Sequence, residues 1–242
     1  MDIAKLEKNI NIKFNNPKLL ENAFVHRSYL NEHPNFELGS NERLEFLGDA
    51  VLELSASEKL YHSYPERPEG DLTNFRAAIV CTSSLAEEAR KLNLGEYLSL
   101  SRGEEESGGR NREYILANTF EAFLGALYLD QDLKTCGGFL EKNLFYKIAE
   151  IVESGKYRDA KSTFQEITQE EVGITPTYKV LEEWGPDHAK HFRMGVYLDD
   201  HLVGVGEGDS KQEGEQEAAR NALEKWKGHN HVPALNPDYA KD

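Results

Sequence analysis

Cysteine is scarce in this chain of 242 residues: Cys81 and Cys136 are the only two, with no CxxC pair and no histidine at metal-ligand spacing. That excludes a disulfide framework and a thiolate zinc site, and implies a reducing compartment with both thiols buried and unpaired. Long apolar runs are also missing. No stretch approaches the ~20 apolar residues that span a bilayer, and residues 1–8 lack the apolar centre of a signal peptide. A soluble, cytoplasmic protein without membrane attachment is the expectation. Cations are the third shortage: 28 Lys and Arg face 43 Asp and Glu, a net charge of −15. Taken alone, this argues against a nucleic-acid partner, because phosphate contacts draw on Lys and Arg. Local patches steer binding more than the total does, so the balance lowers the expected affinity without excluding the class.

What is present divides near residue 156. From residue 6 to about 153 the apolar residues recur at helical spacing, as in Leu44, Leu47, Val51, Leu54 and Leu60, or Phe120, Phe123, Leu124, Leu127 and Tyr128, and strand-like alternation is absent. Residues 98–112 are polar and glycine-rich and read as a mobile loop whose charges are solvated. After residue 158 the pattern changes to a short helix over 162–171, strands over 177–182, 192–198 and 202–206, and a closing helix over 211–226. The expected fold class is therefore α+β multidomain: an all-α domain over 1–153, a linker over 154–158, an α-β-β-β-α domain over 159–228, and a C-terminal tail over 229–242.

Within the helical half, residues 41–54 carry Glu42, Glu45 and Asp49 at i, i+3 and i+7, which aligns three carboxylates on one helical stripe. Like charges at that spacing repel unless solvent or a cation relieves them, and clustered carboxylate oxygens are the ligands hard divalent cations take. On its own such a stripe is ordinarily a solvated face. Here it follows His26-Arg27-Ser28-Tyr29-Leu30-Asn31-Glu32-His33 and precedes Gly70-Asp71-Leu72-Thr73, Leu94-Gly95-Glu96-Tyr97-Leu98 and Leu116-Ala117-Asn118-Thr119-Phe120-Glu121-Ala122.

These blocks, in this order, resemble the ribonuclease III family. The second half is similar to a double-stranded RNA-binding domain, with Phe164-Gln165-Glu166 in its first helix, Gly185-Pro186-Asp187-His188 between its first strands, and Gly206-Glu207-Gly208-Asp209-Ser210-Lys211 before its last helix. The resemblance implies an all-α endonuclease domain that cuts double-stranded RNA by metal-assisted phosphodiester hydrolysis. The products would carry 5′-phosphate and 3′-hydroxyl ends, in processing of ribosomal RNA precursors and other structured RNAs. It places Glu45, Asn118 and Glu121 on the metal, Mg²⁺ with Mn²⁺ as a substitute, and ties Asp49 and Glu121 most closely to bond breaking, with Glu42 in support. It implies a homodimer with Phe46 entering a pocket on the partner, against the alternative of an ordinary core Phe. It assigns RNA contact to Ser162, Gln165, Glu166, His188, Lys190, Ser210 and Lys211. Duplex RNA is read by shape, through 2′-hydroxyls in two minor grooves and phosphates between them, and these residue types suit that task.

Two departures from the family pattern stand out. Asn118 occupies a position where a carboxylate is expected, so metal binding should weaken and lean toward Mn²⁺. This leaves open an alternative function as a catalytically impaired double-stranded RNA-binding dimer. In the second domain, Gln212 stands where a second cation is usual, and residues 158–228 hold 9 Lys plus Arg against 15 Asp plus Glu.

Overall fold

The protein, as a computed structural model, is described over residues 2–154, 159–186 and 190–227. Contacts divide the chain into two units, Met1–Tyr157 and Arg158–Asp242. The first unit is helical: α1 (Ile3–Ile10), α2 (Pro17–Ala23), α3 (Arg27–Glu32), α4 (Glu42–Ser63), α5 (Glu69–Ile79), α6 (Thr82–Lys91), α7 (Arg102–Glu106), α8 (Glu113–Asp130), α9 (Leu133–Asn143) and α10 (Ile148–Ser154). Side chains that the sequence places at the boundaries start several of them. Asp2, Asn16, Ser101 and Asp132 accept hydrogen bonds from the backbone N–H groups of Lys5, Lys18, Glu104 and Thr135, satisfying donors that a helix leaves without partners. Helix α4 stops at Tyr64, before Pro65, because proline has no N–H to continue the ladder.

Helices α4 and α8 form the centre. Val51, Leu52, Ala56 and Leu60 of α4 pack with Phe120, Phe123, Leu124 and Leu127 of α8, all nearly or fully removed from solvent. The two backbones touch: a Cβ on Gly48 would overlap the Glu121 carbonyl, and one on Gly125 would overlap the Leu44 carbonyl. Only glycine permits that approach, and it brings the acidic residues of both helices onto one locale.

The signature around His26 acts as a stitch. Ser99 donates its N–H to the Phe24 carbonyl (2.8 Å) and accepts from His26 N–H (3.1 Å). The Ser28 hydroxyl accepts from Ser101 N–H at 3.0 Å and lies 2.8 Å from the His26 ring. The buried Asn41 donates its side-chain amide to the Ala23 carbonyl and its backbone N–H to the Val25 carbonyl, which fixes where α4 begins.

Two expectations are corrected here. Residues 98–112 are not a loop of solvated charges but contain α7 and a 3-10 turn at Gly109–Asn111. Arg110 donates to the Gly95 and Leu98 carbonyls (3.0 and 2.8 Å) and pairs with Glu105 (2.7 Å), while Arg112 pairs with Glu104. Opposite charges a few residues apart offset the chain entropy that the glycines add. Cys81 is exposed, whereas Cys136 is buried. Cys81 is the N-cap residue of α6 and has an extended backbone, so the helical spacing that buries Leu85 and Ala89 does not carry it inward.

The second unit runs α11 (Ala160–Val172), β1 (Thr177–Trp184), β2 (His191–Leu198), β3 (His201–Gly208) and α12 (Lys211–Lys227), with the strands antiparallel in the order β1-β2-β3. Phe164 of α11, Met194, Val196 and Leu198 of β2, and Ala218, Ala219 and Ala222 of α12 close its core. Strand β1 runs two residues beyond the expected Glu182, because a register shift between Val180 and Glu182 breaks the alternation before pairing resumes at Glu182 with Arg193 and continues through Trp184 with His191. His188, most of the expected linker and the C-terminal tail lie outside the described residues.

Candidate functional site

Helix α4 presents Glu42, Glu45 and Asp49, and α8 presents Asn118 and Glu121 one turn apart. Glu42 and Asp49 are exposed, while Glu45, Asn118 and Glu121 are half-buried. Burial raises the pKa of the Glu45 carboxyl, and Glu42 and Asp49 push the same way; the Asn118 side chain beside it acts in the opposite sense. Glu121 is the more perturbed group. Burial first, and then the charges of Asp49, Glu45 and Glu53, push its carboxyl up to about 7. A carboxyl that resists ionisation because it is desolvated among like charges is a group waiting for positive charge.

Around this cluster stand partners that the sequence reading did not single out. Glu42 accepts from the Ser40 hydroxyl at 2.8 Å and pairs with Arg27 at 3.3 Å. Arg76 of α5 pairs with Glu53 at 2.7 Å and donates to the Ser57 hydroxyl at 2.8 Å, which places a guanidinium behind the acids. The signal for Glu53 was available, since it continues the stripe one turn beyond Asp49. Arg76 could not be found that way, because α5 reaches α4 only in three dimensions.

In the second unit, Ser162, Gln165 and Glu166 are all exposed on α11 at helical neighbour spacing. Lys190 lies 3.7 Å from Glu183. The Ser210 hydroxyl accepts from Glu213 N–H at 3.2 Å and so caps α12. Lys211, the first residue of that helix, is exposed with its ammonium 5.7 Å from the centre of the Phe192 ring.

The chain matches two family models, Ribonuclease-III-like over residues 16–148 and Double-stranded RNA binding motif over residues 160–226. It is 47% identical over 224 residues to Ribonuclease 3 of Oceanobacillus iheyensis, covering 93% of this chain and 98% of that protein. It is 50% identical over 220 residues to Ribonuclease 3 of Geobacillus kaustophilus, covering 91% and 89%. The chain belongs to the ribonuclease III family. Its fold also resembles the nuclease domain of ribonuclease III from Campylobacter jejuni, with a TM-score of 0.56 and 36% identity over 60% of this chain and 97% of that one. That structure is described for flexibility in a region involved in dimer formation.

Ribonuclease III enzymes depend on metal, and the donors at α4 and α8 suit a hard divalent cation: two half-buried carboxylates, of which Glu121 is pushed up to about 7, and the amide of Asn118. Among the described residues no three of His, Cys, Asp and Glu form a metal-ligand group. Phe46 is 80% exposed, which rules out the reading of it as an ordinary core residue. It heads an apolar stripe along α4 continued by Leu54 and Tyr61, 55% and 69% exposed. Beside Leu54 and Tyr61 lies a groove of about 610 Å³ that Leu72, Arg76 and Leu133 also line. The sequence reading missed Leu54 and Tyr61 because their spacing fits the core pattern of α4 as well as its outer face.

Proposed function

We propose that the protein is a metal-dependent endoribonuclease that hydrolyses double-stranded RNA, with the helical unit as the catalytic domain (residues 1–153) and residues 159–228 as the RNA-binding domain. The observation that carries this reading is the meeting of Glu45, Asp49, Asn118 and Glu121 where α4 and α8 touch, with Glu121 raised to about 7. Glu45, Asn118 and Glu121 would hold Mg²⁺ or Mn²⁺. When bound, such an ion lowers the pKa of water to make a nucleophile and stabilises charge on the departing oxygen.

The chain's own residues then do the following. Glu121 would hold the ion as a full anion, its proton released to solvent. Asp49, exposed on the same stripe, would orient the attacking water or the phosphate. Glu42, held by Ser40 and Arg27, orients substrate or water at the edge of the cluster. Water adds to phosphorus, the bond to the 3′-oxygen breaks, and a proton passes to that oxygen, leaving 5′-phosphate and 3′-hydroxyl ends. Substrates of this kind include precursors of ribosomal RNA and other structured RNAs in the cytoplasm; no described helix is long and apolar enough to cross a membrane.

A homodimer follows from the same surface. Phe46 of one copy enters the groove by Leu54, Tyr61 and Leu72 of the other, and a two-fold axis sets two equivalent sites on opposite strands of one duplex. In the RNA-binding domain, Ser162, Gln165 and Glu166 face one minor groove, His188 the next, and Lys190, Ser210 and Lys211 the phosphates between.

The test is to incubate the purified protein with a long RNA duplex and either Mg²⁺ or Mn²⁺. Discrete short duplexes with 5′-phosphates are expected. Full-length RNA bound but uncut with both ions would favour the second reading, a double-stranded RNA-binding dimer disabled by the neutral Asn118.

A further inference from the structure

The first residues of β2 grip the segment that leads into α12. Arg193 pairs with Glu207 at 2.6 Å, the Phe192 ring lies under Lys211, and His191 Nδ1 lies 2.7 Å from Asp209 Oδ1. His191 also stacks on Trp184 across the strand pair, with ring centres 5.8 Å apart. Asp209 therefore puts a carboxylate, 80% exposed, immediately before the Ser210 cap and Lys211. An anion beside a helix N-terminus stabilises the helix, but it opposes any phosphate that approaches the same N-terminus.

We propose that His191 sets the phosphate affinity of the α12 N-terminus by countering Asp209, so that binding of duplex RNA is coupled to the charge on the His191 ring. This rests on the reading of Ser210 and Lys211 as phosphate contacts. A neutral imidazole leaves the Asp209 charge facing phosphate; an imidazolium at hydrogen-bond distance cancels it. Histidine is the side chain that commonly serves as a pH-dependent charge, which sets the comparison to be made between pH 6 and pH 8. Among the described residues, the charged groups nearest the ring have partners of their own: Lys190 with Glu183, Arg193 with Glu182 and Glu207, and the Glu213 carboxylate with Asp209 N–H. Asp209 is thus the anion that His191 addresses.

The experiment measures binding of the full chain to a 20-base-pair RNA by fluorescence anisotropy at pH 6 and pH 8, with EDTA in place of divalent metal so that nothing is cut. Removing one exposed charge a few ångströms from a phosphate should change affinity by about threefold at solvent-like screening. Asp209→Asn should bind about threefold tighter than wild type at pH 8 and show a smaller gain on going to pH 6. His191→Gln should lose the same part of the pH dependence while keeping its pH 8 affinity. Asp209→Ser guards against an effect peculiar to the amide. Unchanged affinity in both Asp209 variants, or a full pH response in His191→Gln, overturns the proposal. Lys211→Ala separates the two levels: if it binds as well as wild type, the phosphate reading fails and takes the proposal with it. If it binds weakly while the Asp209 variants match wild type, the proposal alone fails.

Discussion

Replacing Glu121 with Gln should stabilise the protein in the absence of metal while abolishing its activity, and the stabilisation should depend on pH in a way that only the carboxyl explains. Glu121 titrates near 7 in the folded chain because burial and the charges of Asp49, Glu45 and Glu53 disfavour its anion; in the unfolded chain it titrates in the ordinary range, near 4.3. Below about pH 4 both states carry the proton and the group contributes no difference. Between that point and about 7 the unfolded state ionises while the folded state holds its proton, so stability falls as pH rises, and above about 7 the full penalty is present. A shift of this size corresponds to about 4 kcal/mol, and discounting for the partial solvent access of the group leaves about 2 kcal/mol. For a unit of this length that is about 4–8 °C in Tm. Thermal unfolding of the metal-free wild type and Glu121→Gln should therefore coincide near pH 4 and separate by that amount at pH 8. Millimolar Mg²⁺ should close the gap by raising the wild type alone, because a ligand bound only by the folded state stabilises it. A Tm difference that is the same at pH 4 and pH 8 would show that Glu121 is not strained by its neighbours and would remove the main physical support for the site.

Asn118→Asp should restore a full anion, so cleavage should reach half its maximal rate at a lower Mg²⁺ concentration; equal metal requirements in a titration of both proteins would mean that Asn118 is not a ligand. Gly48→Ala should cost at least about 3 kcal/mol in denaturant unfolding, because the new methyl meets the Glu121 carbonyl rather than a side chain that can turn away. If the proposed homodimer forms, Phe46→Glu should sediment as a monomer where the wild type sediments as a dimer, since it sets a charge against Leu54, Tyr61 and Leu72. Lys211→Ala should weaken duplex binding and flatten the dependence of log K on log salt by about one unit, as expected for one lost phosphate contact; an unchanged slope would place the RNA surface elsewhere.

The two-part architecture could be read from the sequence because its period changes: helical spacing dominates to about residue 153, and strand signals begin only after residue 176. The acid stripe was readable for the same reason, being a spacing along one helix. What could not be read depends on contacts between distant segments. Arg76 reaches Glu53 from another helix, Gly48 and Gly125 matter only because α4 and α8 touch there, and the order of residues 98–112 comes from Arg110 reaching carbonyls some twelve to fifteen positions earlier. Composition alone labels that segment a loop. Leu54 and Tyr61 show a different limit: periodicity marks a residue as apolar-facing, but on a helix with one face in the core and another open to a partner it does not say which face is meant.

The acidity of the RNA-binding unit looks at odds with its task until the cations are followed to their partners. Lys161 pairs with Glu215, Arg193 with Glu182 and Glu207, Lys190 with Glu183, and Arg220 with Glu217. Four cations are thereby committed within the fold, at pairs worth little to stability, and a phosphate must compete with a carboxylate for each. Lys211 differs in its place: it stands at the start of a helix whose dipole also favours an anion, with its ammonium over the Phe192 ring. Electrostatic attraction for duplex RNA should then be concentrated at that helix end rather than spread over a face. The −6 balance of residues 158–228 acts as a background repulsion that makes weak, non-specific contacts unfavourable. A duplex that engages α11 and the α12 N-terminus together can overcome this repulsion; a single strand, which cannot present two minor grooves at the required spacing, cannot.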